Sequence, residues 1–116
     1  MKLAIIGSRT FNNYGLLQET LEQYKSKITL VVSGAAKGAD SLGERWAIKN
    51  NIKTLIFPAD WEKYGKRAGF IRNEDIIKNC DAVIAFWDEI SRGTAHSLSL
   101  CEKYNKPYKI ITYKNG

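Results

Sequence analysis

The stretch ITLVVSGAAKGAD, residues 28–40, decides the fold. It opens with a short β-branched apolar run, Ile28 to Val32, which is typical of a strand buried on both faces of a parallel sheet. Most residues from Ser33 to Asp40 are Gly, Ala or Ser, and they lead into a helical pattern over Asp40 to Asn50. A strand, a loop of small residues and a helix together form the repeating unit of an α/β domain.

The same alternation continues in both directions from this stretch. We predict further strands over Lys2–Ile6, Lys53–Phe57, Asp81–Phe86 and Tyr108–Tyr113. We predict further helices from the helical spacing of Tyr14, Leu17, Leu21 and Tyr24, and over Ala68–Asn79 and Thr94–Tyr104. The longest irregular stretch is predicted over Ala59 to Lys66. The pattern predicts one Rossmann-like, three-layer α/β domain over residues 1–116, with a five-stranded parallel sheet and helices on both faces.

The composition is that of an ordinary globular protein. The 116 residues are 44% hydrophobic and 26% charged, and no apolar run is long enough to span a bilayer. We therefore expect a cytoplasmic location and no membrane partner. Cys80 and Cys101 form no CxxC motif and there is a single histidine, so we expect reduced, buried thiols and no metal site. The net charge of +6 favours an anionic partner.

The unusual residues follow the strands. Ligands of open α/β sheets bind outside the carboxyl ends of the strands. After the first strand, Ser8 can bond a phosphate oxygen and Arg9 offers a guanidinium fork to an anion. After the second strand, the loop from Ser33 to Asp40 places small residues at the amino end of a helix, which favours a bound phosphate. The alternative for this loop is a plain turn with Asp40 as the helix N-cap.

Two further segments extend the same edge. After the third strand, Trp61 or Tyr64 could stack on a nucleobase, and Arg72 could face a pocket. After the fourth strand, a loop of small residues again opens a helix, with His96 at its second or third position. The basic residues of these edge segments are Arg9, Lys37, Lys63, Lys66, Arg67, Arg72 and Arg92. Their placement predicts a focused anion site at one rim of the sheet.

Four motifs carry a resemblance to a known superfamily. GSR at residues 7–9, SGAAKGAD at 33–40, GKRAGFIRN at 65–73 and WDEISRGT at 87–94 together resemble the SLOG superfamily, and most closely its small stand-alone YspA-like branch. The resemblance covers nearly the whole chain and implies the strand order 3-2-1-4-5. It also implies a ligand among nucleotides and nucleotide-derived signals, such as ADP-ribose-like molecules.

Two relatives within that superfamily sharpen the expectation. The "lonely guy" phosphoribohydrolases resemble this fold but carry a catalytic glutamate in PGGxGTxxE, where this chain has Ser97. Asp40, Asp60, Asp88 or Glu89 could substitute, and nothing in the sequence selects one. No catalytic residue is therefore assigned, and a binding protein is favoured over an enzyme. The larger DNA-processing protein of natural transformation shares the SGxAxG-type loop.

The sequence thus predicts binding of a phosphate-bearing nucleotide or nucleotide-derived signal, for sensing or sequestration. A nucleotide hydrolase and a binder of single-stranded nucleic acid are the alternatives. We expect a nucleotide-derived small molecule as partner, with nucleic acid ranked last, a homo-oligomer, and no cofactor. The motifs and the local chemistry together give the predicted ligand site: Gly7, Ser8, Arg9, Ser33, Gly34, Lys37, Gly38, Asp40, Trp61, Arg72, Asn73, Ser91, Gly93 and Thr94.

Overall fold

The computed structural model describes residues 1–114. The strands are β1 (Lys2–Gly7), β2 (Leu30–Ser33), β3 (Lys53–Ile56), β4 (Ala82–Phe86) and β5 (Tyr108–Ile111). The helices are α1 (Tyr14–Glu22), α2 (Ala39–Lys49), α3 (Trp61–Tyr64), α4 (Ala68–Lys78) and α5 (Arg92–Lys103), with single 3₁₀ turns at Lys25–Lys27 and Gly65–Arg67.

The five strands form one parallel sheet in the order β3-β2-β1-β4-β5, as the resemblance implied. β1 lies at the centre and pairs with β2 on one side and β4 on the other. The chain therefore builds outward from β1 to β3 and then crosses back to β4. This reversal of strand order leaves a crevice beyond the carboxyl ends of β1 and β4.

Helices cover both faces of the sheet, as predicted. On one face, Leu17 and Leu21 of α1 and Trp46 of α2 pack against Ile5 and the other inward side chains of that face. On the other face, α4 and α5 pack against Ala4, Ile6 and Val32 through a second buried cluster. The strands are continuous apolar runs because both of their faces are covered in this way.

The segment from Ala59 to Lys66 is more regular than predicted. Trp61–Tyr64 forms a one-turn helix, and a 3₁₀ turn follows at Gly65–Arg67. The Asp60 carboxylate accepts a hydrogen bond from the Lys63 N–H at 3.1 Å and so caps α3. The prediction of an irregular stretch was wrong because a single side-chain cap stabilises a turn that has no apolar periodicity to reveal it.

Some element boundaries differ from the predicted ones. β2 begins at Leu30 instead of Ile28 and β5 ends at Ile111 instead of Tyr113. α5 begins at Arg92, with Ser91 as its cap residue, so His96 is the fifth residue of the helix and not the second or third. Cys80 and Cys101 are free and buried, as expected. Within residues 1–114, no helix is long and apolar enough to cross a membrane.

Candidate functional site

Two adjoining cavities lie along the carboxyl edge of the sheet. The inner cavity, of about 400 Å³, opens beyond β1 and β4, and α4 forms one of its walls. The outer cavity, of about 600 Å³, opens beyond β2 and β3. Both are within the range of small-molecule sites, which is about 300–1,000 Å³. Four residues line both cavities and form what we call the junction: Arg9, Ala36, Trp61 and Arg72. We call the two cavities and the junction together the edge groove.

One face of α4 lines the inner cavity. Gly69, Arg72, Asn73 and Ile76 follow the spacing i, i+3, i+4, i+7, which places them on one side of a helix. Asn73 and Ile76 are buried, whereas Arg72 is half-buried. The AGFIRN motif thus positions a guanidinium and an amide on the same wall.

Asp40 organises the loop after β2. It is the second residue of α2, and its Oδ2 accepts hydrogen bonds from the N–H groups of Gly34 at 3.1 Å and Ala36 at 3.4 Å. Gly38, with φ of +78°, precedes the helix, so the alternative of Asp40 as N-cap is wrong. The N–H groups of Gly34 and Ala36 already donate to Asp40, so an anion in the groove would bind to side chains and not to these two amides.

Burial raises the pKa of Asp40 to about 6, against the charge of Arg72 and the hydrogen bonds from Ala36 and Gly34, which lower it. The Asp40 side chain is 6% exposed and lines the inner cavity. Asp40 is therefore a buried carboxyl group on the wall of the groove whose pKa lies close to neutral pH.

Arg72 connects the loop after β2 to the rest of the groove. Its Nη1 donates to the Gly34 carbonyl at 2.6 Å and its Nε donates to Asn73 Oδ1 at 3.1 Å. Burial lowers the pKa of Arg72, the Asp40 charge opposes that shift, and the charge of Arg9 adds to it. Within residues 1–114 the single ion pair joins Lys78 to Glu74, so neither junction arginine is paired with a carboxylate there. Asp40 still lies near enough to Arg72 for the two charges to interact. Two neighbouring guanidinium groups that form no ion pair within residues 1–114 are suited to an anion.

Asn73 continues the polar chain towards α5. Its Nδ2 donates to the Gly93 carbonyl at 3.3 Å and lies 3.4 Å from His96 Nδ1. Because that amide nitrogen is a donor, the facing imidazole nitrogen is an acceptor. Phe70 packs edge-on against the same imidazole, with ring centroids 4.6 Å apart.

A second loop closes the inner cavity after β4. The Asp88 carboxylate accepts hydrogen bonds from the N–H groups of Ile90 and Ser91 and from the Ser91 hydroxyl. Ser8 Oγ accepts a hydrogen bond from the Asp88 N–H at 3.0 Å. These hydrogen bonds, led by that from the Ser91 N–H, lower the pKa of Asp88 to about 2. Asp88 thus holds the loop as a carboxylate.

The edge groove brings together most of the predicted ligand residues. Those in the inner cavity are Gly7, Arg9, Asp40, Trp61, Arg72, Asn73, Ser91, Gly93 and Thr94. Those in the outer cavity are Arg9, Gly34, Lys37, Trp61 and Arg72.

Three predicted residues line neither cavity. Ser8 is buried and accepts from the Asp88 N–H. Ser33 is fully buried, and its hydroxyl donates to Glu44 Oε2 at 2.6 Å. A Cβ on Gly38 would lie 2.2 Å from the Ser8 carbonyl oxygen, so this glycine allows two backbone segments to pack closely. All three support the loops from behind.

Several residues that line the groove were not in the predicted ligand set, among them two basic side chains and an exposed aromatic. Lys66 and Arg92 line the inner cavity and belong to the predicted basic cluster, but they stood outside the ligand set. Phe70 also lines it and is 49% exposed, next to Trp61 at 52%. The i, i+3, i+4 spacing around Arg72 was the signal that could have placed part of α4 on the cavity wall.

The charges of the groove are mostly positive. Five basic side chains line it, namely Arg9, Lys37, Lys66, Arg72 and Arg92. Its two carboxylates are Asp40 and Asp88, and both are engaged in hydrogen bonds to loop N–H groups. Ser97, which stands at the glutamate position of the phosphoribohydrolase motif, is buried on the inner wall. Among residues 1–114, no group of three or more His, Cys, Asp or Glu side chains could hold a metal ion.

Comparison with known proteins places this chain in a family. The model of the YspA, cpYpsA-related SLOG family matches residues 1–64. The Gene 61 protein of Mycobacterium phage D29 is 33% identical to this chain over an alignment of 115 residues. The match covers 91% of this chain and 92% of the phage protein. This chain belongs to the YspA, cpYpsA-related SLOG family.

Two solved structures share the fold of this SLOG-family protein. DNA processing protein A from Helicobacter pylori, described for its single-stranded DNA binding mode, matches with a TM-score of 0.75 at 23% identity over 98% of this chain. DNA processing protein A from Streptococcus pneumoniae matches with a TM-score of 0.77 at 18% identity over 97% of this chain. This chain spans 66% and 50% of the length of those two proteins.

The ranking of nucleic acid last among the expected partners is wrong. The H. pylori protein carries the same fold and binds single-stranded DNA. The net charge and the basic rim were present in the sequence, but the small-residue loops drew the prediction towards a free nucleotide.

Proposed function

We propose that this SLOG-family protein binds single-stranded DNA along the edge groove. The observation that carries the proposal is the junction, where two guanidinium groups that form no ion pair within residues 1–114 line two adjoining cavities. A phosphate backbone crossing the junction would meet Arg9 and Arg72, which present donors in a geometry that matches phosphate oxygens. The solved structure of the single-stranded DNA binder from H. pylori supports the same choice of ligand.

The aromatic side chains at the rim support a single strand over a duplex. Trp61 lies at the junction and Phe70 on the inner wall, and about half of each side chain is exposed. Unpaired bases stack on exposed aromatic rings, and this stacking contributes about 1–3 kcal/mol per base. Bases within a duplex are stacked on each other and leave no face for Trp61 to cover.

The proposal is tested by fluorescence anisotropy with a labelled oligothymidylate about 20 nucleotides long, at low salt. Arg9→Gln removes an exposed guanidinium that has no hydrogen bond or ion pair of its own to lose within residues 1–114. The matched control is Lys27→Gln, which removes the same charge from an exposed side chain beyond the amino end of the sheet. We expect Arg9→Gln to weaken binding by at least about tenfold, since one charge-assisted hydrogen bond is worth roughly 1.5–3 kcal/mol. Absence of binding by the wild type, or equal losses in both variants, would reject the proposal.

A free nucleotide-derived signal is the second candidate. The specific observation in its favour is the inner cavity, whose volume of about 400 Å³ is that of a small-molecule site. The same anisotropy assay separates the two candidates, because a single nucleotide that displaces the oligonucleotide at equal molar affinity would favour the free ligand.

A further inference from the structure

The edge groove consists of two adjoining cavities. Arg9, Ala36, Trp61 and Arg72 each line both cavities, so the junction is their shared wall. The inner cavity lies between the loops after β1 and β4, whereas the outer cavity is bounded by Gly34 and Pro58 after β2 and β3. The two spaces therefore lie in a row along the sheet edge.

Both junction arginines have N–H donors that make no hydrogen bond within residues 1–114. Arg72 commits Nε and one hydrogen of Nη1 to Asn73 and Gly34, which leaves Nη2 without a partner in residues 1–114. Those two bonds also hold the guanidinium in one orientation. Arg9 is exposed and also lines both cavities, near enough to Arg72 for its charge to lower the pKa of Arg72. Two positive charges held this close together favour one anion between them.

Trp61 lines both cavities at the junction. A Cβ added at Gly69 of α4 would lie 3.5 Å from Trp61 Cη2. The indole therefore lies against this part of α4. The ring is 52% exposed, so one side remains available to a base.

We propose that the unit recognised by the edge groove is a dinucleotide step, with its internal phosphodiester at the junction and one nucleoside in each cavity. This inference rests on the proposed function and specifies the length and the charge of the ligand. Lys37 in the outer cavity and Arg92 in the inner one lie beyond the junction and would meet the flanking phosphates of a longer strand. Their exposed side chains add less than the fixed guanidinium of Arg72.

The test is a competition series against the labelled oligothymidylate. The competitors are thymidine 5′-monophosphate, the dinucleoside monophosphate TpT, TpT with an uncharged methylphosphonate linkage, and the tetramer. A monophosphate carries about −1.5 to −2 charges at neutral pH, whereas TpT carries a single charge. Attraction by net charge alone would therefore favour the monophosphate, and a dinucleotide site favours TpT.

We expect TpT to compete at least about tenfold better than the monophosphate, which lacks the second nucleoside and its stacking. We expect TpT to compete about tenfold better than its methylphosphonate analogue, which lacks the charged phosphate oxygen and so loses a charge-assisted hydrogen bond. The tetramer should gain less than about fivefold over TpT, because exposed ion pairs contribute little. Arg9→Gln should weaken TpT and leave the methylphosphonate analogue unchanged, and Lys27→Gln should change neither.

The outcomes separate this inference from the proposal on which it rests. If the oligothymidylate binds but the monophosphate competes as well as TpT, or the affinity rises evenly with each nucleotide, the dinucleotide site is rejected and strand binding stands. If the labelled oligothymidylate does not bind the wild type, the proposed function itself fails.

Discussion

Asp40 is the buried carboxylate around which the loop after β2 folds. Its Oδ2 accepts from two backbone N–H groups, and burial raises its pKa to about 6 from the ordinary value of 3.8. Between about pH 4 and pH 6 the folded protein therefore holds a proton that the unfolded chain has released. The unfolding free energy falls as the pH rises through this window.

We predict that Asp40→Asn abolishes the fall of the unfolding free energy with rising pH. A change of about two pKa units corresponds to roughly 3 kcal/mol, so the wild type should lose about 1–3 kcal/mol relative to the variant between pH 4.5 and pH 7.5. Urea unfolding at the two pH values measures the difference. Asp75→Asn removes an exposed carboxylate from α4 and is the control, which should keep the wild-type fall. Parallel stability profiles for the wild type and Asp40→Asn would contradict this account of the loop.

Trp61 is the exposed aromatic of the junction. Trp61→Ala should weaken binding of the oligothymidylate by about 5- to 100-fold, because base stacking on an aromatic ring is worth about 1–3 kcal/mol. Trp61→Phe should retain most of the affinity. Ile48→Ala, which truncates a 71%-exposed side chain on α2, is the control for loss of exposed apolar surface. The measurement is the anisotropy titration, and equal affinity of the wild type and Trp61→Ala would exclude stacking at this position.

The sequence predicted several residues that line the groove, but it did not predict which groups they form hydrogen bonds with. Arg72 and Asp40 were predicted to meet the ligand, and both line the groove. The bond from Arg72 to the Gly34 carbonyl joins residues 38 positions apart in the chain. No local spacing encodes such a contact, and it exists only because the fold brings α4 and the loop after β2 to the same edge of the sheet.

At the scale of elements, the start of α2 depends on the close approach of two loops. Gly38 has a φ of +78°, and a Cβ there would lie 2.2 Å from the Ser8 carbonyl oxygen and 2.6 Å from that of Arg9. Neither backbone atom can move aside without displacing the loop after β1. Position 38 therefore requires glycine, both for its positive φ and for the close approach of the Ser8 and Arg9 carbonyl oxygens.

We predict that Gly38→Ala destabilises the protein by roughly 2–4 kcal/mol, since it combines backbone strain with a steric clash. The matched control is Gly15→Ala at the second position of α1, where an added Cβ meets only Asn13 Oδ1 at 3.7 Å. That change should be neutral or stabilising by up to about 1 kcal/mol, because alanine is the better helix former. Thermal unfolding followed by circular dichroism compares the two. A Gly38→Ala variant as stable as Gly15→Ala would show that the loops are free to separate.

The strands and the longer helices could be predicted because each carries its own periodic pattern. The continuous apolar runs of β1 and β4 and the helical spacing in α2 identify these elements without tertiary information. α3 has only four residues, and the Asp60 carboxylate caps it by accepting a hydrogen bond from the Lys63 N–H. A helix this short leaves no periodic signal, and so it was predicted as a loop.

For the whole molecule, the position of the charge matters more than its total. The chain carries 18 basic and 12 acidic residues, but five basic side chains are gathered in the edge groove. Each phosphate neutralised on a single strand contributes about −0.7 to the slope of log affinity against log salt concentration. A strand in the groove should therefore give a slope between about −2 and −3.5.

The sequence also predicts a homo-oligomer, and this stays a prediction.

We predict that the salt slope changes only with charges in the groove. Arg9→Gln should make the slope shallower by about 0.7, whereas Lys27→Gln should leave it unchanged although both lower the net charge equally. Anisotropy titrations from about 50 to 200 mM salt measure the slopes. Equal effects of the two variants would indicate diffuse attraction to the whole surface.

Amide chemical-shift mapping with unlabelled oligothymidylate shows directly whether single-stranded DNA occupies the groove at the carboxyl edge of the sheet. We predict that the largest shifts fall on Arg9, Ala36, Trp61, Arg72 and Gly93, with little change at the amino edge around Lys27 and Asp81. Shifts concentrated at the amino edge, or spread evenly over the surface, would contradict it.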